Sequence, residues 1–308
     1  MKLERFKLGN KTICLVDFSQ AVISACAAEA KNLEDDGEAK SYIKHLIISM
    51  ILSWKKKFNG RMIIICDAKG TYWRNKEYPY YKGHRKHDNT DFINWETVYE
   101  VINEMKFDLR ESFPYMVLDV HGAEADDIIA ILCKYFQENE LIERGLMDEP
   151  QEIVIISTDG DFQQLQKYRN VCQWNNVKKQ KIVCQNPQNY LIEHIVRGDS
   201  GDNIPSITTG EEWSKARAEN IPTRAPPFAT KRLEEFFNIG IEACKSDNER
   251  KHYKRNEKLV DLDRIPEAIN KSVIEEYLNY SIKGSKSKVF NFLLKNRMKL
   301  LLSSAEEF

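Results

Sequence analysis

Short apolar segments alternate with longer amphipathic segments over roughly the first 185 residues. Four runs rich in β-branched residues predict buried strands: Thr12 to Val16, Arg61 to Cys66, Tyr115 to Val120 and Glu152 to Ser157. A hairpin-like pair, VCQW followed by KIVC, closes this part of the chain. Continuous apolar strands that alternate with helices are typical of a parallel sheet covered on both faces. We therefore predict an α/β fold with a mostly parallel central sheet.

Strand signals end near residue 185, and the remaining chain has helical patterns separated by Gly, Pro and polar turns. The stretch from Ser206 to Phe228 contains three prolines and no periodic pattern, so we expect it to be irregular. We predict two domains: an α/β domain over residues 1–185 and a helical domain over residues 186–308.

A carboxylate follows each of the four predicted strands. The residues concerned are Asp17, Asp67, Glu124, Asp126, Asp127, Asp159 and Asp161. An aspartate after a strand commonly caps a helix or a turn, and acids at 124–127 would also suit the dipole of a helix N-terminus. The strand ends of an open α/β sheet, however, face one crevice. The repetition at all four strands therefore favours a shared site over four separate caps.

Asp199 and Asp202 in the segment RGDSGDNIP add a further acidic pair at the start of the second region. Carboxylates that converge on one crevice repel each other, and their pKa values rise unless cations are present. Oxygen ligands without His or Cys suit Mg²⁺ or Mn²⁺. Two such ions can activate a water and stabilise the leaving oxygen of a phosphoryl displacement. The acidic residues thus predict a two-metal site.

The charge balance hides a segregated surface. The net charge is −1, from 46 Lys and Arg against 47 Asp and Glu, yet residues 68–87 hold six Lys or Arg, one acid and five aromatic residues. Such a run is commonly only a solvated face. Beside an anionic site it would supply the cations that a phosphodiester needs, and its aromatic rings suit the stacking of unpaired bases.

Export and membrane insertion are not expected. The longest apolar run falls well short of the ~20 residues that span a membrane, and the first residues, MKLER, carry charge where a secretory signal is apolar. Seven scattered cysteines without a C-x-x-C pair predict reduced thiols in a cytosolic compartment, and neither a zinc site nor a disulfide framework.

Six motifs in a fixed order resemble the flap endonuclease/5′-nuclease family: ICLVDFSQ, CDAKGTYWR, YYKGHRK, AEADDIIA, STDGDFQQL and RGDSGDNIP. The resemblance implies a PIN-like nuclease fold and a Mg²⁺-dependent, monomeric 5′-3′ exonuclease and flap endonuclease with RNase H activity. Expected substrates are 5′-flap, forked or nicked DNA and RNA–DNA hybrids. The implied role is removal of RNA primers and adjacent DNA during bacteriophage lagging-strand replication, in the cytoplasm of the bacterial host. Two Mg²⁺ ions are implied, with Mn²⁺ as a substitute.

The resemblance also implies roles for individual residues. The tighter metal site would use Asp17, Asp67, Glu124, Asp126 and Asp159, and the second site Asp161, Asp199 and Asp202, while Asp127 matches a further acidic position. The catalytic residues would be Lys82, Arg85, Asp126 and Asp159. The predicted DNA contacts are Arg74, Tyr81, Lys82, Arg85, Lys215, Lys231 and Arg232. Within this set, Tyr81 would stack on a base, Lys82 and Arg85 would contact the scissile phosphate, and a helical arch near residues 70–110 would cover the site.

The second region departs from the family pattern. GDSGDNIP resembles the start of a helix-three-turn-helix, but a long insertion precedes the plausible helix start at Ala229, Thr230 and Lys231. A K⁺ site in this degenerate motif therefore stays open. The resemblance implies a single-stranded-DNA-binding protein as a partner, and the C-terminal SSAEEF is either an exposed tail or a peptide for a sliding clamp.

Two other functions fit parts of the sequence. A PIN-type ribonuclease would cut single-stranded RNA with a similar acidic crevice, but a compact PIN domain needs neither the YKGHR segment nor the GDSGDNIP region. A catalytically silent DNA-binding scaffold would not need so many mutually repelling carboxylates.

Overall fold

The structure is a computed structural model that describes residues 12–29, 36–87, 93–139, 141–144, 147–226 and 228–308. These residues form the strands β1 (Ile13–Asp17), β2 (Arg61–Ile65), β3 (Met116–Leu118), β4 (Leu141–Arg144), β5 (Met147–Pro150), β6 (Ile153–Ile156), β7 (Val171–Asn175) and β8 (Gln180–Ile182). β7 and β8 pair antiparallel as the closing hairpin. The four strands and the hairpin predicted from the sequence are therefore present.

Six of the strands form one sheet in the order β3-β2-β1-β6-β7-β8. The first five are parallel to their neighbours, and only β8 is antiparallel. At the centre, Val16 of β1 is level with Ile64 of β2 and Ile156 of β6. The carboxyl ends of these three strands thus meet at one edge, the usual ligand position in open α/β sheets. The predicted mostly parallel α/β sheet is confirmed.

The α-helices of the described residues are α1 (Phe18–Ala28), α2 (Asp36–Phe58), α3 (Trp73–Glu77), α4 (Trp95–Ser112), α5 (Ala125–Asn139), α6 (Pro187–Arg197), α7 (Glu211–Ala218), α8 (Thr230–Ile239), α9 (Asp247–Val260), α10 (Glu267–Asn279) and α11 (Lys286–Lys295). Short 3-10 segments cover Gly83–His87, Gly160–Lys167, Gly240–Ala243 and Lys299–Glu307. One of the helices, α7, lies inside the stretch that the sequence predicted to be irregular.

Both faces of the sheet are buried because successive side chains of β1 point to opposite sides. Cys14 and Val16 join a cluster with α1, α2, α4 and α11, whereas Ile13 and Leu15 join a cluster with α5 and α10. All four side chains are fully buried. This double burial explains why the strands are continuously apolar in sequence.

The hairpin of β4 and β5 was not predicted. Its residues, LIERGLMDEP, include four charged side chains and show neither an apolar run nor a regular alternation. β4 and β5 form a separate two-stranded sheet. They connect α5 to β6 and do not extend the main sheet.

The predicted arch over residues 70–110 is corrected in part. Residues 88–92 lie outside the described residues. Beyond them, α4 buries Val98, Val101 and Met105 along one face and packs against α2. A helix that is this deeply anchored in the core cannot also arch over the site, so the predicted arch does not include α4.

A third hydrophobic cluster attaches the helical region to the segment after α3. Ile195 of α6, Phe236 of α8 and Tyr253 of α9 pack in this cluster with Tyr78 and Tyr81. The contact holds the loop that follows α6 close to the carboxyl edge of the sheet.

Helices from the end of the chain also complete the core of the sheet. α10 packs on one face through Tyr277, whose ring centroid lies 5.4 Å from that of Phe136. α11 packs on the other face through Phe292, 5.2 Å from Phe113. A domain boundary at residue 185 therefore stays a prediction, since helices beyond it cover both faces of the strands before it.

The C-terminal segment is folded onto the protein. Phe308 is 6% exposed, and its ring packs edge-on against Phe113 with centroids 5.4 Å apart. The prediction of an exposed tail is wrong for this aromatic ring. A clamp-binding peptide that uses Phe308 would first have to leave the core.

Within the described residues, no helix combines the length and the apolar character needed to cross a membrane.

Candidate metal centre and its basic rim

Asp17 and Asp67 stand at the carboxyl ends of β1 and β2. Asp17 caps α1, because the N–H of Gln20 points to its Oδ1 at 3.4 Å, and Ser157 Oγ donates to its Oδ2 at 3.0 Å. Asp67 Oδ1 accepts a bond of 3.0 Å from the N–H of Ala125, the first residue of α5. Asp17 therefore does cap a helix, which the sequence analysis considered as the alternative to metal binding. The cap holds its carboxylate at the edge of the sheet.

Burial and mutual repulsion make the charged forms of the carboxylates at this edge unfavourable. Burial, followed by the nearby carboxylates of Asp67 and Asp159, raises the pKa of Asp17 to about 8. Asp159 lies at the exposed rim of the concavity, where partial desolvation and the neighbouring Asp161 raise its pKa to about 6. A divalent ion would restore the charged forms of both carboxylates, and an all-oxygen ligand set fits such an ion.

Three acidic residues lie together at the start of α5, and one of them, Asp127, is enclosed by other protein groups. Carboxylate oxygens of Glu124, Asp126 and Asp127 lie within 4.8 Å of one another. Asp127 is fully buried: its Oδ2 accepts from Trp73 Nε1 at 2.9 Å and from the N–H of Glu124 at 3.0 Å. Its Oδ1 lies 2.8 Å from Arg74 Nη1. Oδ2 thus accepts two hydrogen bonds and Oδ1 is ion-paired with Arg74 in a fully buried position, so we withdraw Asp127 as a metal ligand.

Arg74 also differs from its prediction as a phosphate contact. The side chain is 2% exposed, and besides Asp127 it contacts Glu124 Oε2 at 2.9 Å and the carbonyl oxygen of Leu259 at 2.8 Å. A guanidinium held this way cannot reach DNA. Its positive charge instead supports the acidic group from beneath.

Tyr81 is placed where it cannot stack on a base. The residue is 2% exposed, and its hydroxyl lies 3.0 Å from Glu124 Oε2 and 2.7 Å from Asp202 Oδ2. The predicted base stacking is therefore wrong for this structure. Tyr81 instead links the acidic group of α5 to the loop after α6.

Lys82 bridges the same two acidic segments from the rim. Its ammonium pairs with Glu124 Oε1 and lies 3.6 Å from Asp202 Oδ1. Burial lowers the pKa of Lys82, but Asp202 and Glu124 together raise it well above its usual range. For Glu124 the effects have the opposite signs. Burial raises its pKa, but the attraction of Lys82 and Arg74 is stronger, so the pKa of Glu124 is lowered overall. Both groups are therefore charged at neutral pH.

Arg85 lies further out on the same rim. Its Nη2 is 2.8 Å from Asp202 Oδ1 and 3.3 Å from the carbonyl oxygen of Gly201, and half of the side chain is exposed. The structure thus places Lys82 and Arg85 beside predicted metal ligands, with Arg85 open to an incoming anion.

A second cluster contains a histidine that the sequence analysis missed. His194 Nε2 of α6 lies 3.0 Å from Asp161 Oδ1 and 3.4 Å from Asp199 Oδ2. Burial lowers the pKa of His194, yet the two carboxylates raise it to about 11, so the imidazole is charged in the absence of a metal. The available signal was its position one helical turn before the Gly198-Asp199 motif.

The loop that carries Asp199 requires a glycine at its start. Gly198 has φ 72°, and a Cβ at this position would lie 2.4 Å from the carbonyl oxygen of Ile204. Only glycine adopts this conformation in so little space. The turn directs Asp199 toward His194 and Asp202 toward Lys82.

The predicted DNA contacts of the second region differ in accessibility. Lys215 and Lys231 are exposed. Arg232 is not free, because its two terminal nitrogens bind Glu249 at 3.0 and 2.8 Å and its guanidinium lies over Phe228. We withdraw Arg232 as a phosphate contact and keep the two lysines as predictions.

Comparison with known proteins agrees with this arrangement. Residues 12–193 match the family described as 5′-3′ exonuclease, N-terminal resolvase-like domain. The chain therefore belongs to the 5′-3′ exonuclease family, which confirms the family resemblance of its motifs. Residues 186–308 match the family described as T4 RNase H, C terminal.

A curated relative covers almost the whole chain. Ribonuclease H of Enterobacteria phage T4 is 32% identical over 316 residues, which span 99% of this chain and 97% of the relative. The six motifs had also indicated the ribonuclease H of T-even phages as a relative, and this match confirms it.

Solved structures share the fold at lower identity. The T5 D15 protein co-crystallized with metal ions has a TM-score of 0.60 at 16% identity, over 87% of this chain and 98% of that chain. The bacteriophage T5 D15 flap endonuclease in a pseudo-enzyme-product complex with DNA and metal ions has a TM-score of 0.60 at 17% identity over the same shares. The T5 5′-exonuclease with bound zinc ions has a TM-score of 0.59 at 18% identity, again over 87% and 98%.

Proposed function

We propose that this chain is a divalent-metal-dependent, structure-specific 5′-nuclease that hydrolyses phosphodiester bonds in 5′-flap, forked or nicked DNA and in RNA–DNA hybrids. The observation that carries the proposal is the position of Lys82. Its ammonium lies between Glu124 of one acidic group and Asp202 of the other, at the edge where three strands end.

The metal ligands would come from both acidic groups. Those we propose are Asp17, Asp67, Glu124, Asp126 and Asp159 for one ion and Asp161, Asp199 and Asp202 for the other. The raised pKa of Asp17, caused first by burial and then by neighbouring carboxylates, supports this assignment because a bound cation would stabilise the charged form of such a carboxyl group. Bound Mg²⁺ or Mn²⁺ would supply an activated water and neutralise charge on the leaving oxygen.

The protein itself would hold and polarise the phosphate. Arg85, which is half exposed, would attract the phosphodiester to the rim, and Lys82 would stabilise the charge that develops on the scissile phosphate. Both would have to exchange a carboxylate partner for the phosphate, which becomes favourable once metal ions neutralise those carboxylates. Arg74 and Tyr81 would keep Glu124 and Asp202 in position throughout.

The biological role that we propose is the removal of RNA primers and adjacent DNA during phage lagging-strand replication. Support comes from the full-length similarity to a phage ribonuclease H. The implied K⁺ site, the single-stranded-DNA-binding protein and the sliding clamp stay predictions.

Cleavage of end-labelled nucleic acids tests the proposed activity. A 5′-flap DNA and an unstructured RNA of equal length should be incubated with and without Mg²⁺, and the product lengths resolved. We expect metal-dependent cuts near the flap junction and little cutting of the RNA. Preferred cutting of the RNA would support the PIN-type ribonuclease, and binding without any cutting would support a silent scaffold.

A further inference from the structure

A basic pocket lies between α4 and the segments that follow β2 and β3, and we will call it the α4 pocket. It has a volume of about 480 Å³, and its lining includes Lys69, Lys106, Phe107, Arg110, Asp119 and His121. The proposed function uses none of these residues.

The α4 pocket adjoins the candidate metal centre through Asp67. Lys106 Nζ lies 3.4 Å from the carbonyl oxygen of Asp67, whose carboxylate faces the start of α5. α4 and α5 cover opposite faces of the sheet. Lys82 pairs with Glu124, directly before α5, and Lys106 lies next to Asp67, so cations stand beside two different carboxylate segments of the acidic edge.

The charges of the pocket favour a polyanion. Asp119 pairs with both Lys106 and Arg110, the latter at 2.5 Å between Oδ1 and Nη2. Burial raises the pKa of Asp119, but its two hydrogen-bonded cations lower it, so the carboxylate is charged. The lining thus has three cationic side chains, Lys69, Lys106 and Arg110, and a single carboxylate, Asp119, so the net charge of the pocket is positive. The pair with Asp119 also holds both long side chains in place.

The lining of this pocket includes an exposed aromatic ring. Phe107 is 64% exposed, although the same helix buries Val101, Met105 and Leu109 on its other face. Solvent exposure of a phenyl ring beside three cations has no packing benefit. A cationic groove with an exposed aromatic ring is the combination that binds single-stranded nucleic acid, in which bases stack and phosphates meet lysines.

We propose that the α4 pocket binds the single-stranded nucleotide next to the scissile phosphate, with its base on Phe107 and its phosphate at the exposed Lys69, while Lys106 and Arg110 stay paired with Asp119 and contribute positive charge behind it. The strand would then cross the acidic edge between two sets of cations. This inference rests on the proposed function, because it places the scissile phosphate at the metal centre.

Binding measurements separate the pocket from general DNA affinity. Duplex DNA with a single-stranded 5′ arm and a nicked duplex without an arm are titrated with the full chain, with Ca²⁺ supplied instead of Mg²⁺ to limit cleavage. Phe107→Ala should weaken binding of the armed DNA roughly 5- to 100-fold, the usual range for loss of one stacked base. Binding of the nicked duplex should not change.

Lys69→Ala gives a second, independent readout. The logarithm of affinity for armed DNA should depend less steeply on the logarithm of salt concentration, by about 0.7 for one lost single-strand phosphate contact. An abasic residue at the first arm position should remove the effect of Phe107→Ala. The matched controls are Phe290→Ala and Lys299→Ala, which are exposed residues near the end of the chain and should bind both DNAs like the parent.

The outcomes distinguish this inference from the proposed function. The proposal for the α4 pocket is overturned if the pocket variants bind both DNAs as the parent does, or if they lose the same affinity for both DNAs. Either result overturns it even if the parent cuts flaps. Selective loss on the armed DNA supports the pocket, and a parent that shows this selectivity without cutting with Mg²⁺ or Mn²⁺ would overturn only the nuclease proposal.

Discussion

The backbone N–H of Lys82 donates a hydrogen bond of 2.9 Å to the carbonyl oxygen of Asp202 and so joins two segments that are distant in sequence. Lys82 also has a φ of 54°, a left-handed conformation that few residues other than glycine adopt readily. The position of this residue is therefore set by its backbone, and its ammonium is held toward Glu124 before any substrate arrives.

Replacement of Lys82 should separate chemistry from affinity. Lys82→Ala should slow single-turnover cleavage about 10²–10³-fold, since preorganised contacts to developing charge are commonly worth this much. DNA binding should weaken far less, because many other cations share it. Lys82→Arg should restore little, as a planar guanidinium does not replace a compact ammonium. Single-turnover rates at saturating enzyme and a separate binding titration measure the two effects.

The matched control for this experiment is Lys82→Gly. Glycine adopts the φ of 54° without strain, so a loss that comes from the missing ammonium should be equal in the Ala and Gly variants. Cleavage at the parental rate by Lys82→Ala would place the side chain outside the chemistry. Recovery in the Gly variant alone would assign the loss to the backbone conformation.

Two adjacent aspartates should behave in opposite ways. Asp126→Asn should abolish cleavage and weaken metal binding while the metal-free protein stays folded, because burial already raises the pKa of Asp126 well above its usual value. Asp127→Asn should instead cost about 3–5 kcal/mol of stability, since it weakens a buried ion pair with Arg74. Calorimetric titration with Mn²⁺ and thermal melts of both variants test the contrast.

The opposite pattern would reverse the assignment. If Asp127→Asn lost metal affinity at unchanged stability, Asp127 would be a ligand and its bond to Trp73 incidental.

Stability should depend on pH and on metal together. Burial and the carboxylates of Asp67 and Asp159 raise the pKa of Asp17 from 3.8 to about 8 in the folded protein. The folded state therefore holds this proton more tightly than the unfolded state, and the stabilisation that results is lost as pH rises toward 8. In EDTA, Tm should fall by a few degrees between about pH 6 and pH 8.5. Mg²⁺ should raise Tm more at the higher pH.

Asp17→Asn is the control for this effect, because it removes the titrating group while its position beside Ser157 Oγ is kept. The variant should show a shallower fall of Tm with pH and a smaller response to Mg²⁺. A parental Tm that rises over this pH range in EDTA would mean that burial and the neighbouring carboxylates do not raise the pKa of Asp17 in the folded protein.

His194 should compete with the second metal ion. Its charged imidazole lies between Asp161 and Asp199 and has to lose its proton or move when a cation binds there. His194→Gln should therefore lower Tm without metal and tighten Mg²⁺ binding. Isothermal titration at about pH 7.5 measures the affinity. Weaker metal binding by the variant would show that His194 ligates the ion.

The sheet was predictable because its sequence signals are local and strong. Runs such as those around Val16 and Ile64 are apolar on both faces, and each ends in a carboxylate, so the parallel sheet and the position of Asp17 and Asp67 could be anticipated together. The β4–β5 hairpin gave no such signal, because its charged residues do not need burial on either side.

The errors at the site have one physical origin. Arg74, Tyr81 and Asp127 were assigned from motif position, and nothing in the sequence shows that they are 2%, 2% and 0% exposed. The burial of Arg74 depends on Leu259 and that of Tyr81 on Asp202, while Asp127 is covered by Trp73 and Arg74, and all of these partners lie far away along the chain. Residue type predicted that these groups would be charged or polar and close to the site. Only tertiary packing decides which of them faces the crevice and which lies beneath it.

The packing of α11 and Phe308 has a consequence for synthesis on the ribosome. These elements close one face of the sheet around Phe113, yet they leave the ribosome long after the last strand. A nascent chain that already contains every carboxylate of the crevice would still expose part of that hydrophobic face to solvent. Such an intermediate is prone to aggregation, so slow translation of the helical region should increase its dependence on chaperones, whereas the same delay before β1 should not.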